Sequence, residues 1–460
     1  MQKKRSLWFA LSALLVLSLI VSACGGATPA AEAPAAAAPA AAVEATAAPA
    51  AAVETPAAAP AAGPVTLSLW THSAGNELEL GAIQTMVDTY NASQSGAKVV
   101  IEAFPQASYN DSVAAASVAG SLPCVLDLDG PTVPNFAWSG YLAPMAITDA
   151  ELEEMGIIPA DVGRFNGQVY ALGPFDVALL IYARQSVLEK YEIRIPTLDS
   201  PWTLDEFSTI LATLQDSGEF ENAIDVNAAW TGEWYSYAYS PMLQSFGGDL
   251  IDRTDYMTAE GALNGPEAVA WGEWWKGLFA NGYANPTPAD DQGFFQGRVA
   301  LWYTGSWSAN DVVTNVGDDA LFLPAVDFGN GPKIGAASWQ WGVSDACVDK
   351  DAAFDFVKYL LAPEQVALMS ETTGLVPTTF AGAALTEKFA EGGPFRVFYD
   401  MANAYAVVRP QTPAYLAISS QFEQAAIKIR DGGNVQDALD DAVDAINRDI
   451  ADNGGYGMGN

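Results

Sequence analysis

Five consecutive segments between residues 65 and 128 alternate between the hydrophobic periodicity of a strand and that of a helix. Val65–Trp70, Lys98–Phe104 and Val125–Leu128 have the composition and pattern of strands. Between them, Glu77–Asn91 and Tyr109–Val118 carry apolar or small residues at helical spacing. The order strand, helix, strand, helix, strand is typical of a parallel sheet covered by helices. The sequence therefore predicts an α/β fold that begins at about residue 65.

The mixture of strands and helices continues to the C-terminus. Val169–Ala183 is strand-like and is interrupted by Gly173-Pro174, and a capping box at Thr203 and Glu206 opens a helix that runs to Leu214. Further helices are predicted at Glu267–Phe279, Ala352–Leu361, Pro363–Thr372, Tyr415–Ile429 and Val435–Ile450. Because a chain of 460 residues exceeds what one hydrophobic core usually organises, we expect two lobes.

The N-terminus has the features of an export signal. Basic residues 3–5 precede an apolar run, Leu7–Val21, and small residues lead to Cys24. Val21-Ser22-Ala23-Cys24 resembles the bacterial lipobox, which implies a signal peptide over residues 1–23 and a lipid on Cys24. The alternative is an uncleaved membrane helix, for which the apolar run is slightly shorter than the roughly 20 residues that a span needs.

A low-complexity segment follows the export signal. Residues 24–63 are nearly all Ala and Pro after the cysteine, and such a composition cannot bury a core. Repeated proline favours extended polyproline geometry, at about 3.1 Å per residue. We therefore expect a semi-stiff tether that holds a folded region, from about residue 64, away from a membrane.

Charge and residue counts exclude several classes of function. Twenty Lys and Arg stand against 55 Asp and Glu, a net charge of −35 that disfavours nucleic acid and anionic lipid as partners. His72 is the single histidine, and no spacing typical of a zinc site, P-loop or nucleophile elbow is present. We therefore expect no metal, no cofactor and no catalytic residues.

Two thiols remain if Cys24 carries a lipid. Exported proteins tend to pair their cysteines, which favours a disulfide between Cys124 and Cys347. The alternative is that both are small buried apolar residues.

Several motifs in the folded region together point to one family. They are Leu69-Trp70-Thr71 with Asn76-Glu77, Leu122–Asp129 followed by Ser139–Pro144, Asn166–Leu172 with Ile181-Tyr182, Phe295–Leu301 with Gly305-Ser306-Trp307, Gly374–Thr378, Arg409–Tyr415 and Ala438–Ala442. This set resembles the family 1 extracellular solute-binding proteins, the maltose-binding-like receptors of ABC importers. The resemblance covers about Val65 to the C-terminus.

The resemblance implies a two-lobe periplasmic-binding-protein-like fold of type II, an α/β fold whose discontinuous lobes are joined by hinge strands. Lobe one is expected at about 65–173 and 334–378, and lobe two at about 174–333 and 379–460. Ligand would lie in the cleft, and the lobes would close on it by hinge bending. The same fold would place Cys124 near Cys347, which strengthens the predicted disulfide.

Candidate ligand contacts follow from the resemblance and from the density of aromatic residues. The matching positions are Glu77, Asp129, Asp176, Trp307, Trp339 and Arg409, and the aromatic-rich region adds Trp230 and Trp234. Aromatic faces stack on sugar C–H groups, and carboxylates accept hydrogen bonds from hydroxyls. Each residue has a structural alternative: core packing for a tryptophan, a helix N-terminal charge for Glu77 or Asp176, and an ion pair for Arg409. Trp339 and Trp341 are expected to face opposite sides of one strand, so that only one of them faces the cleft.

The sequence thus predicts an exported, lipid-anchored, monomeric receptor on the outer face of the cytoplasmic membrane. It would capture a sugar, expected to be a di- or oligosaccharide, and deliver it to ABC permease subunits without turnover. Three alternatives remain open at this stage. They are a polyamine receptor that uses cation–π contacts, a surface glycoside hydrolase with two carboxylates about 5–9.5 Å apart, and an adhesin or sensor without a transporter.

Overall fold

The computed structural model describes residues 63–336 and 338–458. The predicted signal peptide, Cys24 and nearly all of the predicted tether lie outside these residues. In chain order, the strands are β1 (Val65–Ala74), β2 (Ala97–Pro105), β3 (Val125–Asp129), β4 (Val162–Phe165), β5 (Gln168–Leu172), β6 (Phe175–Asp176), β7 (Leu179–Arg184), β8 (Asn222–Asp225), β9 (Val299–Gly305), β10 (Ala320–Leu323), β11 (Ile334–Ala336), β12 (Trp339–Val343), β13 (Val376–Pro377) and β14 (Ala406–Val408).

Helices alternate with these strands, as the sequence pattern predicts. In chain order they are α1 (Glu77–Ser93), α2 (Gln106–Ala119), α3 (Val133–Trp138), α4 (Asp149–Met155), α5 (Gln185–Lys190), α6 (Leu204–Asp216), α7 (Glu233–Phe246), α8 (Pro266–Ala280), α9 (Ala309–Val316), α10 (Lys350–Leu360), α11 (Pro363–Thr373), α12 (Phe380–Ala384), α13 (Arg396–Tyr405), α14 (Tyr415–Arg430) and α15 (Val435–Asp452). The predicted capping box forms at α6: Thr203 and Glu206 each accept the other's backbone N–H through their side chains.

The first sheet has six strands in the order β2-β1-β3-β12-β5-β4. Strands β1, β2 and β3 run parallel, which confirms the reading of the first five segments, and β12 is antiparallel to both β3 and β5. All five residues of β3 are buried. Helices α1, α10 and α11 pack against one another, and α1 also packs on β1 and β2. We call this part lobe one.

The second sheet has four strands in the order β10-β7-β9-β8. Helix α7 packs against α8 and α14, and α14 packs along α15. Trp271 and Trp275 of α8 are fully buried and stack at 6.1 Å, as expected for core residues, whereas Trp274 is only partly buried. We call this part lobe two.

Two short sheets lie where the chain passes between the lobes. Strand β6 follows β5 of the first sheet, precedes β7 of the second, and pairs with β13. Strand β11 lies between β10 of the second sheet and β12 of the first, and pairs with β14. Short paired strands between two sheets are the arrangement that a hinge needs. Across the described residues, no helix is long and apolar enough to span a membrane.

Candidate ligand-binding site

The lobe-one side of the site is built at the end of β3. Trp339, the first residue of β12, is the register partner of Asp129, the last residue of β3. Residues two apart in a strand lie on the same face, so the expectation that Trp339 and Trp341 face opposite sides is wrong. Their position along β12 distinguishes them: Trp341 is buried in the core, while Trp339, at the start of the strand, is only partly buried. Of the two tryptophans, Trp339 is therefore the one available to a ligand.

His72 lies directly against Trp339. The two rings stack with centroids 3.7 Å apart and an interplanar angle of 12°. The imidazole Nδ1 is 2.7 Å from Asp127 Oδ2, and Nε2 is 3.3 Å from Glu79 Oε1. Burial lowers the pKa of His72, but the carboxylates of Glu79 and Asp127 outweigh burial, so the pKa lies above its ordinary value. One face of Trp339 is thus covered by a buried histidine held between two acids.

The lobe-two side is a group of aromatic rings at the start of α7 and the end of β9. Trp230 and Trp234 meet edge to face at 4.8 Å, and Trp307 lies 6.1 Å from Trp234 and 6.3 Å from Tyr237. Trp230 is 37% exposed and Trp307 partly buried, whereas Trp234 is 9% exposed and donates its indole N–H to Tyr239. Trp230 and Trp307 therefore expose part of their rings to solvent, and the more deeply buried Trp234 packs against both of them.

A glycine allows the position of Trp307. A Cβ added to Gly305 would lie 2.0 Å from Trp307 Cζ3 and 2.3 Å from Cη2. The backbone of Gly305 is extended and unstrained, so it is the space for the indole, and not the backbone conformation, that requires glycine. The Gly-Ser-Trp sequence after β9 therefore folds the ring back over its own turn.

Arg409 connects the two sides. Its guanidinium donates to both carboxylate oxygens of Asp129, at 2.8 and 3.2 Å, and also to Glu233 at the first position of α7. The guanidinium carbon lies 5.1 Å above the ring of Tyr237. Glu233 accepts further hydrogen bonds from the hydroxyls of Tyr415 and Ser419. The buried cation therefore ties a lobe-one carboxylate to a lobe-two carboxylate.

The first turn of α1 carries two acids with different surroundings. Glu77 is exposed, whereas Glu79 is 5% exposed. Glu79 accepts hydrogen bonds from the Ser73 hydroxyl at 3.0 Å and from the amide group of Asn76, the N-cap residue, at 2.9 Å. Burial raises the pKa of Glu79, although the neighbouring His72 opposes that shift. Ligand contact by Glu77 stays a prediction.

Asp176 lies in the hinge and not among the exposed rings. It is fully buried in β6 and pairs in register with Val376 of β13. Asp161, also fully buried, accepts a hydrogen bond from Thr378 at 2.7 Å. Burial raises the pKa of Asp161 well above its ordinary value, and the nearby Asp176 raises it further. The hinge thus contains a pair of interacting buried acids.

Several residues of the site, His72 and Asp127 among them, were not sequence candidates. Glu79 had a signal, because the Asn-x-x-Glu pattern from Asn76 is that of a helix N-terminus whose third residue turns back to the cap. Tyr237 belongs to the same aromatic-rich region as Trp230 and Trp234. Glu233 had no signal, because its partner Arg409 is more than 170 positions away in sequence.

A disulfide joins Cys124 and Cys347 in lobe one. The Sγ atoms of Cys124 and Cys347 are 2.15 Å apart, which joins residues 223 positions apart in sequence. Cys124 immediately precedes β3, and Cys347 follows β12, the neighbouring strand. Within residues 63–336 and 338–458, no group of three or more His, Cys, Asp or Glu side chains could hold a metal ion.

Solved structures with known binding roles share this fold. A cyclic α-maltosyl-1,6-maltose binding protein from Arthrobacter globiformis is 26% identical to this chain and superposes with a TM-score of 0.70. The match covers 85% of this chain and 100% of that protein. The GacH receptor of Streptomyces glaucescens, solved unliganded and with acarbose, is 21% identical, with a TM-score of 0.71 over 85% of this chain and 99% of that one. The fold is therefore the predicted two-lobe, periplasmic-binding-protein-like α/β fold.

Sequence comparisons point the same way. A Streptomyces antibioticus protein named as an uncharacterized lipoprotein in the oleD 5' region is 24% identical over 344 residues, which are 70% of this chain and 72% of that protein. The family model described as bacterial extracellular solute-binding protein matches residues 85–395, more than half of the chain. On this evidence, the chain belongs to the bacterial extracellular solute-binding protein family.

Proposed function

We propose that this protein captures a neutral oligosaccharide between its two lobes and delivers it to an ABC importer. The observation that carries the proposal is that partly exposed tryptophans lie at both ends of the Asp129–Arg409–Glu233 bridge. Trp339 is the register partner of Asp129, and Trp230 and Trp307 belong to the aromatic group whose Tyr237 ring faces Arg409. Flat rings with a few fixed polar groups match the apolar faces and hydroxyl rim of a sugar. Receptors of this fold that bind maltosyl-maltose and acarbose support the same ligand class.

The charges of the site favour a neutral ligand over a polyamine. Asp129 and Glu233 share the guanidinium of Arg409, and Glu233 also accepts from two hydroxyls. A polyamine would need these carboxylates as its counter-charges and would have to displace an arginine that is itself buried. Stacking on the tryptophans needs no such displacement, so a neutral sugar is the better match.

The same bonding argues for capture without turnover. A glycoside hydrolase needs one carboxyl group that donates a proton and a second that attacks or activates water. Burial raises the pKa of Glu233, but Arg409 opposes that shift. The carboxylate oxygens of Glu233 already accept hydrogen bonds from Arg409, Tyr415 and Ser419. We therefore propose that the acids of this site orient a ligand and do not catalyse its cleavage.

The anchor and the partners complete the proposal. We infer that Cys24 carries the lipid, that the Ala/Pro tether keeps the lobes above the outer face of the cytoplasmic membrane, and that a monomer presents ligand to the permease. Family membership supports the export of the protein. The net charge of −35 supports attachment through the lipid alone, because an acidic surface is repelled by anionic headgroups.

A thermal-shift screen tests the ligand class. A ligand that binds only the folded state raises the melting temperature by an amount set by its concentration over Kd. We would screen mono-, di- and oligosaccharides and polyamines for binding to the protein, which would be kept in a detergent without a sugar headgroup. A shift with an oligosaccharide, unchanged by added salt, is expected. A shift with polyamines alone, fading with salt, would overturn the sugar proposal.

A further inference from the structure

The histidine that stacks on Trp339 lies between two carboxylates, an arrangement that favours its charged form. Nδ1 faces Asp127 and Nε2 faces Glu79. A neutral imidazole carries one N–H, so one of its nitrogens would present a lone pair to a buried carboxylate. The doubly protonated ring donates to both acids at once. Since Glu79 already accepts hydrogen bonds from Ser73 and Asn76, the geometry favours an imidazolium stacked on the indole.

The remaining groups around His72 offer no substitute for its charge. Asp127 also accepts from the Thr71 hydroxyl at 2.9 Å, and the phenol of Tyr109 is committed to the backbone carbonyl of Asp127 at 2.7 Å. Asp129, the next acid along β3, is paired with Arg409. Among the described neighbours, His72 is thus the cation that balances Glu79 and Asp127, and its loss would leave two buried acids to repel each other.

From these contacts we infer that His72 is a positioning residue: as an imidazolium clamped between Glu79 and Asp127, it holds the indole of Trp339 in its ligand-facing orientation, which makes ligand capture dependent on pH. The inference rests on the proposed function for the role of Trp339. Attraction between a cation and the indole face, together with the two ion pairs, fixes one face of Trp339, and Tyr109 meets the same indole edge to face at 5.7 Å. The part of the ring that remains exposed is available to the ligand. When the proton leaves His72, both constraints are lost.

The direction of the pH dependence follows from the charges. Because Glu79 and Asp127 favour the imidazolium, the clamp is intact at pH values below the ordinary histidine range and is lost as the pH rises through the raised pKa. Ligand affinity should therefore be constant in mildly acidic solution and should fall at higher pH. We expect a fall of at least fivefold across the titration of His72.

The single histidine makes the test direct. In full-length protein without a histidine tag, labelled at histidine, one NMR resonance reports the protonation of His72. The fluorescence difference between wild type and Trp339→Phe reports the surroundings of that indole in the absence of any ligand. Maltotriose serves as the ligand probe. The expected result is one common midpoint for the resonance, the fluorescence difference and the affinity.

Variants separate positioning from mere support of the fold. Glu79→Gln removes one acid from the clamp and should move all three midpoints to lower pH together. Asp88→Asn, an exposed acid on the same helix, should move none of them. His72→Phe keeps a ring beneath the indole but should abolish the pH response. The wild-type titrations decide the matter even if that variant does not fold.

Two outcomes would overturn the inference: a fluorescence difference that ignores the His72 titration, or a maltotriose affinity that stays constant through it. Failure of the proposed function looks different. If neither maltotriose nor any other sugar binds, but the resonance and the fluorescence difference share a midpoint that Glu79→Gln displaces, the positioning of Trp339 stands and the ligand class does not.

Discussion

The guanidinium of Arg409 donates to both carboxylate oxygens of Asp129, although the two residues are 280 positions apart. Asp129 ends β3 of lobe one, and Arg409 directly follows the interlobe strand β14. Both are buried, and Glu233 shares the same guanidinium. Removing one partner of a buried ion pair leaves an uncompensated charge, which typically costs about 3–5 kcal/mol. The bridge therefore bears on the stability of the two-lobe fold as well as on the ligand.

We expect Arg409→Met to lower the free energy of unfolding by about 3–5 kcal/mol, because Asp129 would then lie buried without its cation and the partly buried Glu233 would lose the same partner. Denaturant unfolding followed by circular dichroism measures the loss. Arg194→Met is the matched control, since its partner Glu206 is exposed. Equal, small effects in both variants would contradict a structural role for the bridge.

Sequence patterns predicted the layout of this site better than its contacts. Periodicity and capping located eight of the fifteen described helices and the first three strands, because those signals are local. Most of the missed elements are short, and α7 was missed because nearly all of its residues are buried, so that it has no polar face. The resemblance pointed to Asp129 and Arg409 but not to Glu233, since an ion pair across so many residues depends on how the lobes meet. Glu77 was chosen over Glu79 for a similar reason: both suit a helix N-terminus, and only the packing of His72 distinguishes them.

Removing the Trp307 ring should weaken oligosaccharide binding at least tenfold, with little effect on folding, because the ring is only partly buried and presents a flat surface. Titration calorimetry of Trp307→Ala with the sugar found in the screen measures this. Trp274→Ala is the control: its ring packs against Phe246 and Phe328, so stability should fall while affinity holds. Unchanged affinity in Trp307→Ala would assign that ring to the core or rim.

A methyl group at residue 305 should have a similar effect without removing any ligand contact. In Gly305→Ala the new Cβ would overlap the Trp307 ring, which must swing away because the strand backbone beside it is fixed in the second sheet. We expect affinity to fall while the melting temperature changes little. Gly277→Ala is the control, since its nearest neighbour, Asn281 Nδ2, is 3.8 Å from the added Cβ. An affinity equal to wild type would mean that Trp307 can tolerate the displacement.

The disulfide between Cys124 and Cys347 should be present in protein purified without reductant. Intact-mass measurement before and after reduction and alkylation reports whether these two thiols are free. Because the bond closes a loop across 223 positions, replacing both cysteines by serine should lower the free energy of unfolding by about 2–5 kcal/mol. Two alkylated thiols in the non-reduced protein would end the assignment.

The acid pair in the hinge should make stability fall as the pH rises from mildly acidic values. Burial, reinforced by Asp176, raises the pKa of Asp161 well above its ordinary value, so the folded protein keeps a proton that the unfolded chain releases at about pH 4. Since the folded state then binds more protons, the free energy of unfolding decreases with pH from about 4 up through the raised pKa.

Asp161→Asn keeps an oxygen that accepts the Thr378 hydrogen bond but carries no proton to lose. Denaturant unfolding at a series of pH values should show a shallower decrease for this variant than for wild type, while Asp111→Asn, an exposed acid on α2, should follow wild type. If Asp161→Asn instead kept the full wild-type slope, the proton would not reside on this residue, and the pH dependence would have to come from another group, His72 foremost, whose loss of charge also lowers stability as the pH rises.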